Sequence, residues 1–578
     1  MKKNIVFILL LLTTIYPVFG QKMTTLFEQS NGQQTPTYFE IVKWWKKLDA
    51  QSAKVNMLTM GPTDAGYPLH LILVSNGGDK DFKKIHQRHK KIILINNGIH
   101  PGEPDGIDAS MLLARDIVEN RYKIPDDVVL AIIPVYNIGG CLNRSTNYRV
   151  DQNGPEAFGF RGNGQNLDLN RDFIKSDSKN ARSFAAIFQL ADPDVFVDNH
   201  VSDGADYQHV MTLICTQHDK LGGALGEFMN KEFEPGLYSL MKTKGYDLVP
   251  YVNDFDESPE KSGWSEFFDS PRYSSGYAAL WQCFSFIPET HMLKPYKQRV
   301  KATLDLLQSF IEFTAKNGHK IQQLRAEARN EVQTQTNFPI HWKMDTAGYK
   351  EITYKGYKAT HKPSEISGLP RLFYDRTKPF EANVKLYNSF PADLFVKKPV
   401  AYIIPQGWWK VVDLLKLNRV KMKQLLYDTT IKVDVYTLDH YKSSPGQFEM
   451  HHPNSNVTVA THTKEVQFRK GDWYIPMNQT ANRFIVETLE PEATDSYFAW
   501  NFFDAILGLK EGFSPYHFED IAAAYLKNNP ALKSKLDEKK STDKDFANNA
   551  NAQLFFIFQH SPWIEPAYNQ YPVYRVMQ

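Results

Sequence analysis

Short apolar runs alternate with amphipathic stretches between residues 38 and 317. Four runs are short enough to be buried strands, at residues 91–96, 128–134, 194–198 and 283–287. Apolar residues recur at three- and four-residue spacing over 107–118 and 296–315, and the second stretch is expected to end as a helix at Asn317-Gly318. This alternation predicts an α/β domain with helices covering the sheet.

The pattern changes from about residue 325 onward. Polar helical sequence leads into alternating segments such as 350–358, which are typical of β-strands. We predict a strand and a helix at 400–405 and 408–417, strands within 457–486, helices at 495–507 and 518–527, and an exposed charged segment at 533–551. The chain therefore divides into an α/β domain, residues 21–324, and a β-rich accessory region with a small α/β element, residues 325–578.

The first 20 residues have the features of a cleavable secretory signal. A basic start, Met1-Lys2-Lys3, precedes an apolar run that is shorter than the about 20 residues needed to span a bilayer. An uncleaved anchor is the alternative. No cysteine follows the run to carry a lipid. We expect a secreted or periplasmic product with no stable membrane insertion after signal cleavage.

Charge and cysteine content exclude several classes of function. The 67 basic and 65 acidic side chains leave a net charge of +2, which gives no indication of a nucleic-acid partner. The 3 cysteines are odd in number and far apart, so they favour neither a disulfide framework nor a cysteine metal site.

Three potential metal ligands follow predicted strands. His100 and Glu103 come after the first strand, and His200 comes after the third. Ligands gather outside the carboxyl ends of strands in open α/β sheets. Taken singly, His100-x-x-Glu103 could be a turn with a solvated Glu, and His200 an ordinary loop histidine. Together, two imidazoles and one carboxylate have the composition of a catalytic zinc site with its fourth position open.

Two further segments carry polar groups suited to catalysis. The loop over 160–173 contains Arg161, Asn170 and Arg171, whose donors could bind a carboxylate or form ordinary surface salt bridges. Glu289 follows the fourth strand, where desolvation would raise its pKa and suit it to general-base work. The alternative is an ion pair with Lys294, Lys297 or Arg299 near the next helix.

The order His100-x-x-Glu103, Asp168-Leu-Asn170-Arg171, His200 and Glu289 resembles the zinc carboxypeptidase family, over roughly residues 36–317. The resemblance implies an α/β/α sandwich with a mixed twisted sheet and one Zn²⁺ per chain, held by His100, Glu103 and His200. Glu289 would be the general base, and Arg161 would stabilise the oxyanion. Asn170 and Arg171 would bind the terminal carboxylate of a peptide with a free C-terminus, and Tyr273 would close over it.

The resemblance leaves some positions open. Arg144 and Arg149 compete with Arg161, which we prefer because its seven-residue spacing to Asp168 resembles the cytosolic branch of the family. Tyr277 is the alternative to Tyr273. Carboxypeptidase A has an arginine immediately before its glutamate ligand, and this chain has Gly102 there.

Other functions fit the same residues. An N-acyl amino acid deacylase of the aspartoacylase type shares much of the pattern, and a murein-peptide hydrolase of the same fold would share all of it. A surface-binding protein with a vestigial zinc site is the non-enzymatic alternative. Too few residues lie between the signal and the α/β pattern for an inhibitory pro-domain, so we expect no proteolytic activation. Side-chain preference, oligomeric state and the role of 325–578 remain open.

Overall fold

The computed structural model describes residues 23–253 and 259–578, so the predicted signal over 1–20 lies outside the described residues. The strands up to residue 334 are β1 Val55–Pro62, β2 Pro68–Val74, β3 Lys91–Asn96, β4 Val128–Ile133, β5 Arg144–Ser145, β6 Phe158–Gly159, β7 Val195–Asp198, β8 His200–Ser202, β9 Met211–Cys215, β10 Val249–Pro250, β11 Trp264–Ser265 and β12 Phe284–His291. The helices are α1 Leu26–Gln29, α2 Tyr38–Gln51, α3 Phe82–Gln87, α4 Asp105–Val118, α5 Ile138–Leu142, α6 Lys179–Ala191, α7 His218–Leu221, α8 Gly223–Phe228, α9 Glu234–Thr243, α10 Pro259–Ser262, α11 Ser274–Ala279 and α12 Tyr296–Thr334.

A mixed nine-stranded sheet forms the centre of this part of the chain. Its strand order is β1-β2-β4-β3-β7-β12-β9-β10, with β8 also paired to β12. Strands β4, β3, β7 and β12 are parallel, whereas β2 and β9 run antiparallel to their neighbours β4 and β12. The central strands are apolar and buried because both faces of the sheet are covered.

Helices cover the two faces of this sheet and make an α/β/α sandwich. Phe196 of β7 is in register with Ser285 of β12, so these two side chains lie on the same face of the sheet. Phe286, the residue after Ser285, therefore points to the opposite face. Phe196 contacts Phe184 and Phe188 of α6, while Phe286 contacts Phe310 of α12. The predicted fold class is confirmed.

Helix α12 is longer than the sequence pattern predicts. It runs to Thr334, so the expected end at Asn317-Gly318 is wrong, and the predicted domain boundary at 324 falls inside the helix. Gly318 serves close packing and does not end the helix: a Cβ there would lie 2.5 Å from the Lys91 side chain. Buried Ile321 and the Arg325–Asp194 ion pair at 2.7 Å attach the extra turns to the sheet.

The remainder of the chain is rich in β-structure. Its strands are β13 Asn337–Trp342, β14 Lys350–Pro363, β15 Pro370–Tyr387, β16 Ala392–Lys397, β17 Ala401–Ile404, β18 Lys423–Gln424, β19 Thr429–Ser443, β20 Asn454–Phe468, β21 Trp473–Pro476 and β22 Tyr574–Val576. Its helices are α13 Trp409–Leu417, α14 Asn482–Leu489, α15 Pro515–Lys527, α16 Pro530–Thr542, α17 Lys544–Ala547 and α18 Ala550–Gln559. Six strands form one sheet, in the order β18-β21-β17-β22-β19-β20.

Several element predictions in this region are confirmed and others are wrong. The strand and helix predicted near 400–417 are β17 and α13. The segment 457–486, predicted to contain strands, ends in helix α14. Residues 495–507, predicted to be a helix, consist of turns with one 3-10 helix at Asp504–Leu507. The charged segment 533–551 lies mostly in helices α16 to α18. Buried irregular chain and short buried helices share apolar spacing, so periodicity does not separate them.

Backbone pairing joins the β-rich part to the preceding part of the chain. Strand β11 pairs with β15, and Tyr207 forms an isolated bridge with Gly356. Among the described residues, no helix combines the length and hydropathy needed to cross a bilayer.

Candidate metal centre and active site

The three proposed metal ligands meet at one edge of the sheet. Strand β3 ends at Asn96, and the following loop carries His100 and Glu103 to the start of α4. Strand β7 ends at Asp198, and His200 begins the short strand β8. Because β3 and β7 are parallel neighbours, their carboxyl ends bring these loops together.

The geometry of the three side chains fits a single metal ion. One ligand atom from each of His100, Glu103 and His200 lies within 4.8 Å of the others, and no other such group of three occurs in residues 23–253 and 259–578. The Nδ1 atoms of His100 and His200 lie 3.1 Å and 3.2 Å from the two oxygens of the Glu103 carboxylate. All three side chains are buried. Two imidazoles and a carboxylate are ligands that zinc accepts.

Two aspartates orient the histidine rings. The Nε2 atom of His100 lies 3.0 Å from Oδ1 of Asp168, and Nε2 of His200 lies 3.3 Å from Oδ2 of Asp198. Metal-binding histidines usually donate their second N–H to such a carboxylate, which leaves the other nitrogen free for the metal. Neither aspartate was predicted for this role from the sequence. Only the position of Asp198, two residues before His200, was a signal for it.

Cations surround the candidate ligand Glu103. Burial favours the neutral form of this carboxyl group, but the guanidinium of Arg149 and the His100 ring outweigh burial and hold its pKa well below the usual value. Arg149 donates directly to Glu103. The pKa of Asp168 is likewise lowered against burial, by His100 and Arg161. Both carboxylates are therefore ionised at neutral pH.

A cavity of about 350 Å³ opens beside these ligands. It is lined by every predicted site residue: His100, Glu103, Arg161, Asn170, Arg171, His200, Tyr273 and Glu289. An apolar part of the lining, not predicted from the sequence, comes from Ile214, Tyr251, Phe267 and Ile287. These residues belong to no local motif and come from separate segments, so only the fold reveals them.

Glu289 lies within strand β12 and not beyond its end. It is in register with His200 of β8 on one side and Thr212 of β9 on the other. Burial raises its pKa to about 8. The three cations that could have paired with it bind elsewhere: Lys294 to the carbonyl oxygen of Tyr207, Lys297 to Asn31 and Arg299 to Asp105.

The three candidate arginines have different environments. Arg144 donates to the carbonyl oxygens of Thr35, Pro36 and Ala157 and does not line the cavity. Arg149 lines it and binds Glu103 and Gln152. Arg161 lines it with a half-exposed side chain, whose Nε donates to Asp168 at 2.9 Å.

Packing around Gly102 accounts for a glycine, in place of an arginine, immediately before Glu103. A Cβ on Gly102 would lie 2.6 Å from Nε of Arg149 and 2.8 Å from the carbonyl oxygen of Gly159. No side chain fits at position 102, and Arg149 brings a guanidinium to Glu103 from another loop.

The structure separates the two candidate tyrosines. Tyr273 lines the cavity, and the Arg171 guanidinium lies 4.7 Å from the centre of its ring. Tyr277 is fully buried in α11, and its hydroxyl donates to Oδ1 of Asn418 at 2.6 Å. Tyr277 therefore does not reach the cavity.

The sandwich, the buried His-Glu-His group and the polar cavity are features expected of a metal-dependent hydrolase. Residues 41–210 match the family model described as zinc carboxypeptidase. Carboxypeptidase 2 of Trichophyton equinum is 21% identical over 439 residues, covering 71% of this chain and 73% of its own. Carboxypeptidase 2 of Trichophyton rubrum is 20% identical over 435 residues, covering 70% and 72%.

Solved structures of similar description also match. A putative carboxypeptidase A from Shewanella denitrificans is 18% identical, with a TM-score of 0.36 over 48% of this chain and 70% of its own. Carboxypeptidase A from Helicoverpa armigera is 14% identical, with a TM-score of 0.35 over 51% and 74%. Residues 41–210 are thus a zinc carboxypeptidase domain, and the relatives support a metallocarboxypeptidase hydrolase.

Proposed function

We propose that His100, Glu103 and His200 hold one Zn²⁺, that Glu289 is the general base, and that the enzyme removes C-terminal residues from peptides. The observation that carries this proposal is the convergence of both Nδ1 atoms on Glu103, with each Nε2 held by an aspartate. A zinc ion bound there would polarise the scissile carbonyl and acidify a water molecule.

Glu289 has the position and environment of a proton carrier. Its register with His200 and its place in the cavity lining support a role beside the metal ligands, and burial raises its pKa to about 8. In its ionised form such a carboxylate would take a proton from the attacking water, and the resulting acid would give it to the leaving amine.

Arg161 is the oxyanion donor in this proposal. Its half-exposed guanidinium faces the cavity and is held by Asp168. A preorganised cation of this kind stabilises the negative charge that develops on the carbonyl oxygen.

Asn170 and Arg171 bind the terminal carboxylate of the substrate in this proposal. Arg171 donates through NH1 to the carbonyl oxygen of Asn170 at 2.9 Å, and its guanidinium lies over the ring of Tyr273. These contacts leave further donors of the fork for a carboxylate. Tyr273 then lies beside the bound terminus, where it can close over it.

We further propose a secreted or periplasmic enzyme with a catalytic region at 21–324 and an accessory region at 325–578. The basic and apolar pattern of 1–20 supports export. The nine-stranded sheet and the separate six-stranded sheet support the division, although α12 is shared across the boundary.

A peptide library with defined C-termini tests the proposal. Purified signal-less protein is incubated with free-acid peptides, the same peptides as C-terminal amides, murein peptides and N-acyl amino acids, with and without EDTA. We expect EDTA-sensitive release of single C-terminal residues from the free acids only. Hydrolysis of N-acyl amino acids alone would identify a deacylase.

A second experiment uses the variant Glu289→Gln. We expect it to retain zinc, measured by elemental analysis, and to lose at least about 100-fold in kcat because the proton carrier is gone. Full activity with bound zinc would exclude Glu289 as the base.

A further inference from the structure

A turn of the accessory region contacts the substrate-binding loop, residues 160–177, which carries Asn170 and Arg171. Strands β19 and β20 are joined by a connection that includes a tight turn from Phe448 to His451. The carboxylate of Glu449 in this turn accepts a 2.8 Å hydrogen bond from the backbone N–H of Asp168. The two residues are 281 positions apart in the chain, so only the tertiary fold makes this contact.

The conformation of the turn is unfavourable for the residues it contains. Backbone bonds of 2.8 Å and 3.0 Å join Phe448 and His451, and Glu449 and Met450 have φ of 49° and 67°. A non-glycine residue in this left-handed region costs about 1 kcal/mol or more. Such a turn persists only where surrounding contacts hold it, and strain of this kind is often found at functional positions.

Two contacts besides Glu449 hold the turn in place. Nε2 of His451 lies 2.8 Å from Oδ2 of Asp177, at the end of the substrate-binding loop. The ring of Phe448 stacks on Trp500. The turn is thus fixed to the catalytic region on one side and to the accessory core on the other.

A second accessory residue supports the segment that carries Tyr273. The buried carboxylate of Asp495 accepts from the backbone N–H of Arg272 at 2.8 Å and pairs with its guanidinium at 2.7 Å. Trp500 contributes a 3.2 Å hydrogen bond from Nε1 to Asp495 and a ring surface 4.9 Å from the Arg272 guanidinium. Arg272 immediately precedes Tyr273.

Both supported positions adjoin the residues proposed to bind the substrate carboxylate. The Asp168 side chain accepts from the N–H of Asn170 at 2.9 Å and so begins the 3-10 turn Leu169–Arg171. Arg171 in turn lies over the ring of Tyr273. Glu449 therefore supports the segment of Arg171, and Asp495 supports the segment of Tyr273. Both act from outside the cavity.

We propose that Glu449 is a positioning residue for peptide hydrolysis, acting through the Asp168 amide to set Asn170 and Arg171 for the terminal carboxylate. The accessory region is then part of the active centre. This inference rests on the proposed function of Asn170 and Arg171. Glu449 does not line the cavity, so its effect is on the position of the loop and not on direct contact with substrate.

Three substitutions at Glu449 distinguish loss of the hydrogen-bond acceptor from loss of the charge and from loss of packing. Glu449→Gln keeps an acceptor oxygen at the same reach, whereas Glu449→Ala removes it and Glu449→Asp withdraws it by one methylene. Glu465→Ala, at an exposed position in β20, is the matched control. The measurements on full-length signal-less protein are kcat, KM, inhibition by the released amino acid, zinc content and hydrogen exchange over 168–171.

For Glu449→Ala and Glu449→Asp we expect KM and the inhibition constant of the released amino acid to rise roughly tenfold, because the hydrogen bond to the Asp168 amide is lost. We expect kcat and zinc content to stay within about twofold, and exchange over 168–171 to accelerate roughly tenfold. Glu449→Gln and Glu465→Ala should resemble wild type. The alanine result is checked against Glu449→Asp if the alanine variant folds poorly.

Unchanged KM and unchanged exchange in both shortened variants would overturn the inference. So would a Glu449→Gln variant as impaired as Glu449→Ala, because charge and not the acceptor would then matter. Exchange reports on the loop without any turnover. A wild type that cleaves no peptide therefore refutes the proposed function, while faster exchange in the variants still confirms that Glu449 positions the loop.

Discussion

Asp108 should make the folded protein less stable as the pH rises toward neutrality. This aspartate is fully buried in α4 and accepts a hydrogen bond from the Tyr296 hydroxyl. Burial, with a smaller contribution from the nearby carboxylate of Asp105, raises its pKa to about 7. The folded chain therefore keeps this proton at pH values where the unfolded chain, with an ordinary aspartate pKa near 3.8, has released it.

The size and sign follow from this difference in pKa. A group whose pKa is raised by folding contributes stability at low pH, and that contribution is lost as pH rises through the folded-state pKa. Between pH 5 and pH 7 each pH unit costs about 1.4 kcal/mol of unfolding free energy. Asp108 alone should therefore destabilise the protein by about 3 kcal/mol between pH 5 and pH 8.

Asp108→Asn tests this by removing the titration while keeping the shape of the side chain. Urea midpoints of wild type and variant are compared at pH 5 and pH 8 at one zinc concentration. The difference between the two proteins at each pH removes the contributions of all other titrating groups. We expect the free energy of unfolding of the variant to rise relative to that of wild type as the pH rises. Asp439→Asn, at an exposed position in β19, serves as control and should follow wild type at both pH values. Parallel pH dependence of Asp108→Asn and wild type would refute the reasoning.

Three further predictions concern the active site. Asp168→Asn should weaken zinc binding about 10- to 100-fold, measured by competition with a chelator, because the His100 ring loses its carboxylate partner; unchanged affinity would contradict this. Arg161→Ala should lower kcat at least about 100-fold with zinc retained, whereas Arg149→Ala should lower zinc retention, because Arg149 binds Glu103. The opposite assignment of the two effects would make Arg149 the oxyanion donor. Tyr273→Ala should raise KM for free-acid peptides and leave the free energy of unfolding within about 1 kcal/mol of wild type; an unchanged KM would remove Tyr273 from the substrate site.

The sequence predicted those site residues that follow strands. His100, Glu103 and His200 stand out because polar, metal-binding side chains at the ends of apolar runs have few structural uses. Their convergence depends on β3 and β7 being neighbours in the sheet, and a parallel pair places both loops at one edge. Short-range pattern and simple topology thus suffice to predict that these three side chains meet.

The sequence could not separate residues whose roles depend on distant partners. Tyr273 and Tyr277 lie four positions apart, and only the contact of Tyr277 with Asn418 shows that it is a core residue. The helix end expected at Gly318 was wrong for a similar reason. Glycine ends a helix when its backbone turns left-handed, but here it stays helical to accommodate the Lys91 side chain.

The distribution of the site between strands and loops explains why an accessory region contacts it. His200 and Glu289 lie in paired strands of the sheet, and the loop of His100 and Glu103 directly follows strand β3. Asn170, Arg171 and Tyr273 lie on irregular segments, which carry few backbone hydrogen bonds and open more easily. Those are the segments that Glu449 and Asp495 hold. Accessory residues therefore act where the fold of the catalytic region alone leaves the substrate-binding groups least constrained.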